Sequence, residues 1–180
     1  MEREKLIPIT LLLLDVDGVL TDGTIIYSDS GEEIKAFNVR DGHGLKLLMR
    51  AGLEVALLTA RESKVLLHRA RDLGITAVYQ KAIDKLAAYR AIIDERKIED
   101  RNVCFVGDDI IDIPVLRRVG FSAAVADAVP EVKEVVDYVT GQAGGKGAVR
   151  EVCELLLKAQ NKWEQVTEKY TLPRGSTRCT

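Results

Sequence analysis

Apolar positions along the chain fall into short, nearly continuous runs, separated by stretches where they recur every three or four residues. Leu11 to Val16, Leu53 to Leu58, Ala77 to Tyr79, Asn102 to Val106, Phe121 to Val125 and Val135 to Val139 are short runs rich in strand-forming residues, the pattern of strands covered on both faces. Between them, Gly44 to Ala51, Glu62 to Leu73, Ile83 to Arg96, Ile110 to Val119 and Pro130 to Val135 read as helices, several closed by a glycine such as Gly52, Gly74 or Gly120. Alternating strand and helix predict an α/β fold with a doubly wound, mostly parallel sheet.

Two segments interrupt this rhythm. Thr24 to Val39 places Ile25, Tyr27, Ile34 and Phe37 on two short runs around Ser28-Asp29-Ser30-Gly31, which predicts a β-hairpin inserted after the first strand. Lys146 to Tyr170 spaces Val149, Val152, Cys153, Leu156, Trp163, Val166 and Tyr170 as one long closing helix would. Thr171 to Thr180, with Pro173 and Gly175, lacks periodicity and is expected to be a flexible tail. With no repeat or linker, residues 1–170 read as a single domain.

Composition narrows the partners. Of 180 residues, 47% are apolar and only 5% aromatic, and 26 basic residues face 28 acidic ones for a net charge of −2. Neither a phosphate-backbone grip nor a base-stacking platform is indicated, so no nucleic-acid partner is expected. The run Leu6 to Leu14 holds Pro8 and Thr10 and is far shorter than the roughly 20 residues of a membrane span, so no membrane partner is expected either. The charges Glu2 and Glu4 beside Arg3 and Lys5, and the acids ending the run, argue against a signal peptide and for a cytoplasmic setting. Cys104, Cys153 and Cys179 form no CxxC pair; Cys104 and Cys153 read as buried thiols.

The chemistry concentrates at strand ends. Leu14-Asp15-Val16-Asp17-Gly18 puts two carboxylates at the end of an apolar strand, where open α/β sheets receive ligands; one could attack and the other carry a proton. Gly107-Asp108-Asp109-Ile110-Ile111-Asp112 follows another strand, and clustered carboxylates suit Mg²⁺, although Asp108 or Asp109 alone would also serve as a helix N-cap. Thr59 follows a third strand and Lys85 lies near the start of a helix; a hydroxyl and an ammonium there would cradle the oxygens of a phosphoryl group.

The ordered set Asp15-x-Asp17, Thr59, Lys85, Gly107-Asp108-Asp109 resembles the four motifs of the haloacid dehalogenase superfamily of phosphohydrolases, over Leu11 to about Tyr170. The resemblance implies that Asp15 is the nucleophile, Asp17 the general acid and base, and Thr59 and Lys85 the phosphoryl ligands. It further implies Mg²⁺ held by Asp15, the backbone carbonyl of Asp17, and Asp108. Ala36 to Gly42, Thr59-Ala60-Arg61, Val78-Tyr79-Gln80 and Gly144 to Val152 sharpen it toward a branch without a cap domain. That branch hydrolyses eight-carbon keto-sugar-acid phosphates in lipopolysaccharide precursor synthesis and assembles as homotetramers through hairpins. No insert here is large enough for a cap. The substrate contacts carried over are Asp17, Asn38, Val39, Arg40, Asp41, Gly42, Arg61, Arg69 and Lys85, with a neighbouring subunit helping to close each site.

Three departures stand out: Ala60 in place of the branch's usual glycine, Lys46 in place of arginine, and Lys146 in Gly144-Gly145-Lys146-Gly147 in place of arginine. Lysine lacks the planar fork that grips a carboxylate, so the two lysine positions bear on substrate identity. Arg40, Arg61 and Arg69 exceed the cationic needs of one phosphate, which suits an added carboxylate. A nine-carbon sialic-type acid phosphate is the rival substrate, and Arg61 leans toward the eight-carbon acid. A phospho-accepting receiver domain and a non-catalytic scaffold are the readings from other classes. A receiver takes its acceptor Asp from a middle strand, whereas this pair follows the first. His43 and His68 receive no catalytic role.

Overall fold

The computed structural model describes residues 3–170, and within them the chain alternates as its pattern predicts. In order come β1 Leu11–Leu14, β2 Ile26–Tyr27, β3 Glu33–Ile34, α1 Val39–Arg50, β4 Glu54–Leu58, α2 Lys64–Leu73, β5 Ala77–Tyr79 and α3 Lys85–Arg96. Then follow β6 Val103–Gly107, α4 Ile113–Leu116, β7 Phe121–Ala124, α5 Pro130–Lys133, β8 Tyr138–Val139, α6 Ala148–Ala159 and α7 Trp163–Thr167. Six strands form one sheet in the order β5-β4-β1-β6-β7-β8, with every pairing parallel. All four leucines of β1 and Val103 to Val106 of β6 are buried, which is why these strands read as unbroken apolar runs.

The strand order fixes where chemistry can happen. From β1 the chain winds outward through β4 to β5, then crosses back to the other side of β1 at β6 and winds out to β8. The carboxyl ends of β1 and β6 flank that reversal, so the loops leaving them diverge and open a crevice. Asp15 follows β1 directly, and its N–H continues the ladder by donating to Val106 O (3.0 Å). Asp108 follows β6.

The predicted hairpin is present but narrower than residues 24–39: Ile26 pairs with Ile34 and Tyr27 with Glu33 in an antiparallel ribbon. By residue 39 the chain is already helical, five residues ahead of the expected Gly44. The Asn38 side chain accepts N–H bonds from Arg40 (2.8 Å) and Asp41 (3.4 Å), capping α1. Two glycines, Gly42 and Gly44, fall inside this helix, where glycine is a weak helix former. At Gly44 the reason is close packing: a Cβ there would sit 2.9 Å from Arg150 Cδ and 3.1 Å from Arg150 Cα on α6.

Three other expectations need correction. The single closing helix is two, because the chain turns at Asn161, whose φ is 56°, and Lys162 N–H closes back on Leu157 O (2.8 Å). Gln160 anchors that turn by donating to Leu6 O (3.0 Å) and Ile9 O (2.8 Å). Packing resumes with Val166 buried, so the apolar spacing runs on across the break and hides it. Ile110 to Val119 is a 3-10 turn, Ile110–Asp112, followed by the one-turn α4. Of Val135 to Val139 only Tyr138–Val139 pairs in the sheet. The expected tail over 171–180 lies outside the described residues. Among the described residues no helix is long and apolar enough to cross a membrane.

Candidate active site

Four side chains meet at the crevice. Lys85, the first residue of α3, is aimed by a cap in which Asp84 accepts the Ala87 N–H (2.9 Å). Its ammonium lies 2.7 Å from Asp15 Oδ1 and 2.6 Å from Asp112 Oδ1, and all three groups are buried. Asp112 Oδ2 accepts the N–H groups of Asp108 (3.0 Å) and Asp109 (3.4 Å), tying the loop after β6 to its own first turn. Asp109 is the N-cap of that turn and accepts the Ile110 N–H (2.7 Å). The capping role weighed for Asp108 or Asp109 thus falls to Asp109. Asp108 is left with a buried Oδ1 that has no hydrogen-bond partner among the described residues.

One oxygen from each of Asp15, Asp108 and Asp112 lies within 4.8 Å of the others. Burial pushes the Asp15 carboxyl up to about 6, and the charge of Asp112 adds to the shift while Lys85 opposes it. Burial, with Asp15 and Asp112 nearby, pushes Asp108 up to about 8. Burial alone would lower Lys85, but the two carboxylates outweigh it and hold the ammonium above its ordinary range. Three carboxyl groups around one lysine are therefore short of positive charge, and a divalent cation suits that deficit. Asp112 is committed to Lys85 and two N–H groups, so the oxygen open to such an ion belongs to Asp108.

The turn after Asp17 requires glycine twice over. Gly18 has φ +92°, and a Cβ there would fall 2.0 Å from Asp108 Oδ2. Asp17 itself turns toward the hairpin, where Lys35 binds its Oδ1 and Arg61 Nε stands 3.8 Å from its Oδ2. Arg61 also donates to Glu33 (3.3 Å) and to the Tyr27 hydroxyl (3.1 Å). Thr59 is buried one residue beyond β4; its N–H donates to Tyr79 O (2.9 Å) and its Oγ accepts the Arg61 N–H (3.2 Å).

Direct contacts therefore join Asp15 to Lys85 and Asp17 to Arg61, and Asp108 stands beside Asp15. The remaining expected substrate residues lie around α1. Asn38 donates to Gly145 O (3.2 Å), and its own carbonyl accepts from Arg69 (3.0 Å), whose guanidinium also lies 5.7 Å from the Phe37 ring centre. Asp41 is buried and accepts the Arg150 N–H (2.7 Å) at the start of α6. Val39, Gly42 and Arg69 line a cavity of about 250 Å³ with His43, Lys46 and Leu73, and Arg40 lines another of about 570 Å³ with Lys146 and Arg150. Glu33 and Lys35 drew no notice in the sequence, and Asp112 stood in the acidic cluster without a role of its own. Glu33 lies in β3 and Lys35 one residue past its end, and the two-residue spacing that sets side chains on one face of an extended chain is the signal the sequence offered.

A doubly wound sheet whose switch point holds two paired acids, a lysine and a third acid is the arrangement of a haloacid dehalogenase-like hydrolase, and residues 72–152 match that family. A 3-deoxy-D-manno-octulosonate 8-phosphate phosphatase of Escherichia coli K12 is 52% identical over 157 residues, covering 87% of this chain and 84% of that protein. Its counterpart from Yersinia pestis is 50% identical, covering 88% and 85%. A crystal structure of the Moraxella catarrhalis phosphatase, in complex with a magnesium ion, a phosphate ion and KDO, superposes with a TM-score of 0.92 at 41% identity, covering 94% of this chain and 97% of that one. The chain belongs to the haloacid dehalogenase-like hydrolases, in the branch of the 3-deoxy-D-manno-octulosonate 8-phosphate phosphatases.

Proposed function

We propose that this protein is a magnesium-dependent phosphatase that converts 3-deoxy-D-manno-octulosonate 8-phosphate to the free sugar acid and phosphate. The observation that carries the reading is Asp15, buried at the end of β1 with one oxygen on Lys85 and the unpartnered Asp108 oxygen beside it. An Asp15 oxygen attacks phosphorus as the bond from phosphorus to the sugar oxygen breaks, and Asp17 gives its proton to that leaving oxygen. Water then attacks phosphorus, Asp17 takes the water's proton, and the bond from phosphorus to Asp15 breaks. Thr59 and Lys85 hold phosphoryl oxygens and balance their charge throughout. Magnesium would be held by Asp15, Asp108 and the backbone carbonyl of Asp17, and when bound it neutralises charge on the phosphoryl group.

Arg61 is our choice for the substrate carboxylate in the same subunit, because it stands over Asp17 and is 41% exposed in its side chain. Val39, 80% exposed, and Arg40 we assign to a neighbouring copy's site in a homotetramer, and Asn38, Asp41, Gly42 and Arg69 to holding α1 in place. Exposed Ile26, Tyr27 and Ile34 on the hairpin support such an assembly, since three large apolar side chains on a four-residue ribbon favour burial against another chain. We take residues 1–170 as the catalytic domain and a cytoplasmic setting for it; free, buried Cys104 and Cys153 fit a reducing compartment. Phosphate release across eight- and nine-carbon sugar-acid phosphates, with and without a chelator, tests the reading. Preference for the eight-carbon ester, abolished by chelation, is expected. Release from none of them, with stable phosphorylation by a small phosphodonor, would favour a receiver instead.

A further inference from the structure

The hairpin is built inside out. On the single chain Ile26, Tyr27 and Ile34 are exposed, whereas the Lys35 side chain is 1% exposed and every other residue from Asp22 to Arg40 is exposed or half-buried. Burying an ammonium forfeits its hydration, and an ion pair removed from water returns little net stability, so the fold gains little from this inversion. What Lys35 meets is the Asp17 carboxylate on Oδ1, with Glu33 Oε1 at 3.6 Å. Arg61 completes the circuit, 3.8 Å from Asp17 Oδ2 and 3.3 Å from Glu33 Oε1. The four charges form a closed ring in which each cation faces both carboxylates. Glu33 is pinned from outside by the Ser63 hydroxyl, which donates to its Oε2.

Resting on the phosphatase reading above, we propose that Lys35 is a positioning residue for the acid–base step, holding the Asp17 carboxyl group at the angle from which its proton reaches the leaving oxygen. Asp17 sits at the mouth of a turn, next to a glycine, where nothing on its own strand fixes the side-chain torsions. Lys35 engages Oδ1 and leaves Oδ2 to carry the proton. When that proton passes to the sugar oxygen as the bond to phosphorus breaks, the new carboxylate already faces an ammonium, and the proton recovered from water returns to the same oxygen. Hairpin and catalysis are thereby coupled, since a shift of β3 moves Lys35 and Glu33 together.

The test compares two leaving groups. An alkyl or sugar oxygen needs protonation as it departs, whereas p-nitrophenolate hardly does, and kcat/KM reports the steps through formation of the phosphoenzyme. Lys35→Met should lower kcat/KM roughly ten- to hundredfold on a sugar or alkyl phosphate and by less than about threefold on p-nitrophenyl phosphate. Lys35→Arg, which keeps the charge, should recover most of the loss. Equal losses on both esters, a change confined to KM, or no change would overturn the proposal. Should Lys35→Met fail to fold, Lys35→Gln carries the same comparison against Lys35→Arg. The comparison needs only two esters that the wild type turns over, so failure of the sugar-acid assignment would be seen separately, in the wild-type panel.

Discussion

Asp112 holds both halves of the site, and its removal has a magnitude that can be worked out. In Asp112→Ala the Lys85 ammonium keeps Asp15 but loses a contact of 2.6 Å, and the N–H groups of Asp108 and Asp109 lose their shared acceptor. Breaking a buried charge pair from one side costs about 3–5 kcal/mol. Against this, one of three crowded carboxylates is gone, and since the Asp112 charge helps to raise Asp15, its loss offsets part of that cost in metal-free protein. The net loss, about 2–4 kcal/mol, should lower the melting temperature by roughly 4–16 °C for a chain of this size. Turnover should fall further than stability implies, on the order of a hundredfold in kcat/KM, because Lys85 and the Asp108 loop both lose their anchor. Asp112→Asn keeps an acceptor for the two N–H groups and should fall between. Thermal melting by circular dichroism and phosphate release at saturating magnesium measure the two effects. A variant melting within about a degree of wild type with undiminished turnover would refute the argument that Asp112 organises this centre.

Further outcomes follow from the same geometry. Burial and crowding push the Asp15 and Asp108 carboxyls up in the folded chain, to about 6 and about 8 from an ordinary 3.8, so metal-free folded protein binds more protons than the unfolded chain between about pH 4 and pH 8. Their contribution to stability accordingly falls as pH rises through that window. Asp108→Asn should flatten the decline in melts run with a chelator, and an unchanged slope would count against the assigned shift. Gly18→Ala forces a methyl against Asp108 Oδ2 in a backbone conformation alanine resists, so it should weaken magnesium binding measured by calorimetry, while unaltered binding would show that the turn yields. Ile34→Glu should lower the mass seen by light scattering if hairpins mediate assembly, and an unchanged mass would place the contact elsewhere.

Much of this is legible in the sequence, because buried parallel strands and their crossover helices impose strong patterns. The runs around Leu11, Val55 and Val103 are apolar since both faces are covered, and the polar residues ending them then stand out as chemistry. Asp15 and Asp108 stand out by that contrast, and Lys85 by its place in the order of the motifs. Lys35 was invisible for the opposite reason: the usual rule puts isoleucine inside and lysine outside, and this hairpin reverses it. Asp112 lay within a cluster whose spacing could not say which acid would be free and which engaged. The first helix was legible only from Gly44, because Gly42 ahead of it is a weak helix former and the Asn38 cap shows only in the fold; Gly44 itself is there because another helix lies against it. The break at Asn161 escaped because the hydrophobic spacing continues through it.

Catalysis by this centre requires the Asp15 oxygen to become bonded to phosphorus. Asp17→Asn cannot activate water, so this variant, mixed with p-nitrophenyl phosphate and magnesium and quenched in acid, should accumulate phosphoenzyme. Borohydride reduction followed by peptide mass spectrometry should find homoserine at position 15 and aspartate unchanged elsewhere. Nitrophenol released with no modification of Asp15 at any quench time would contradict the mechanism.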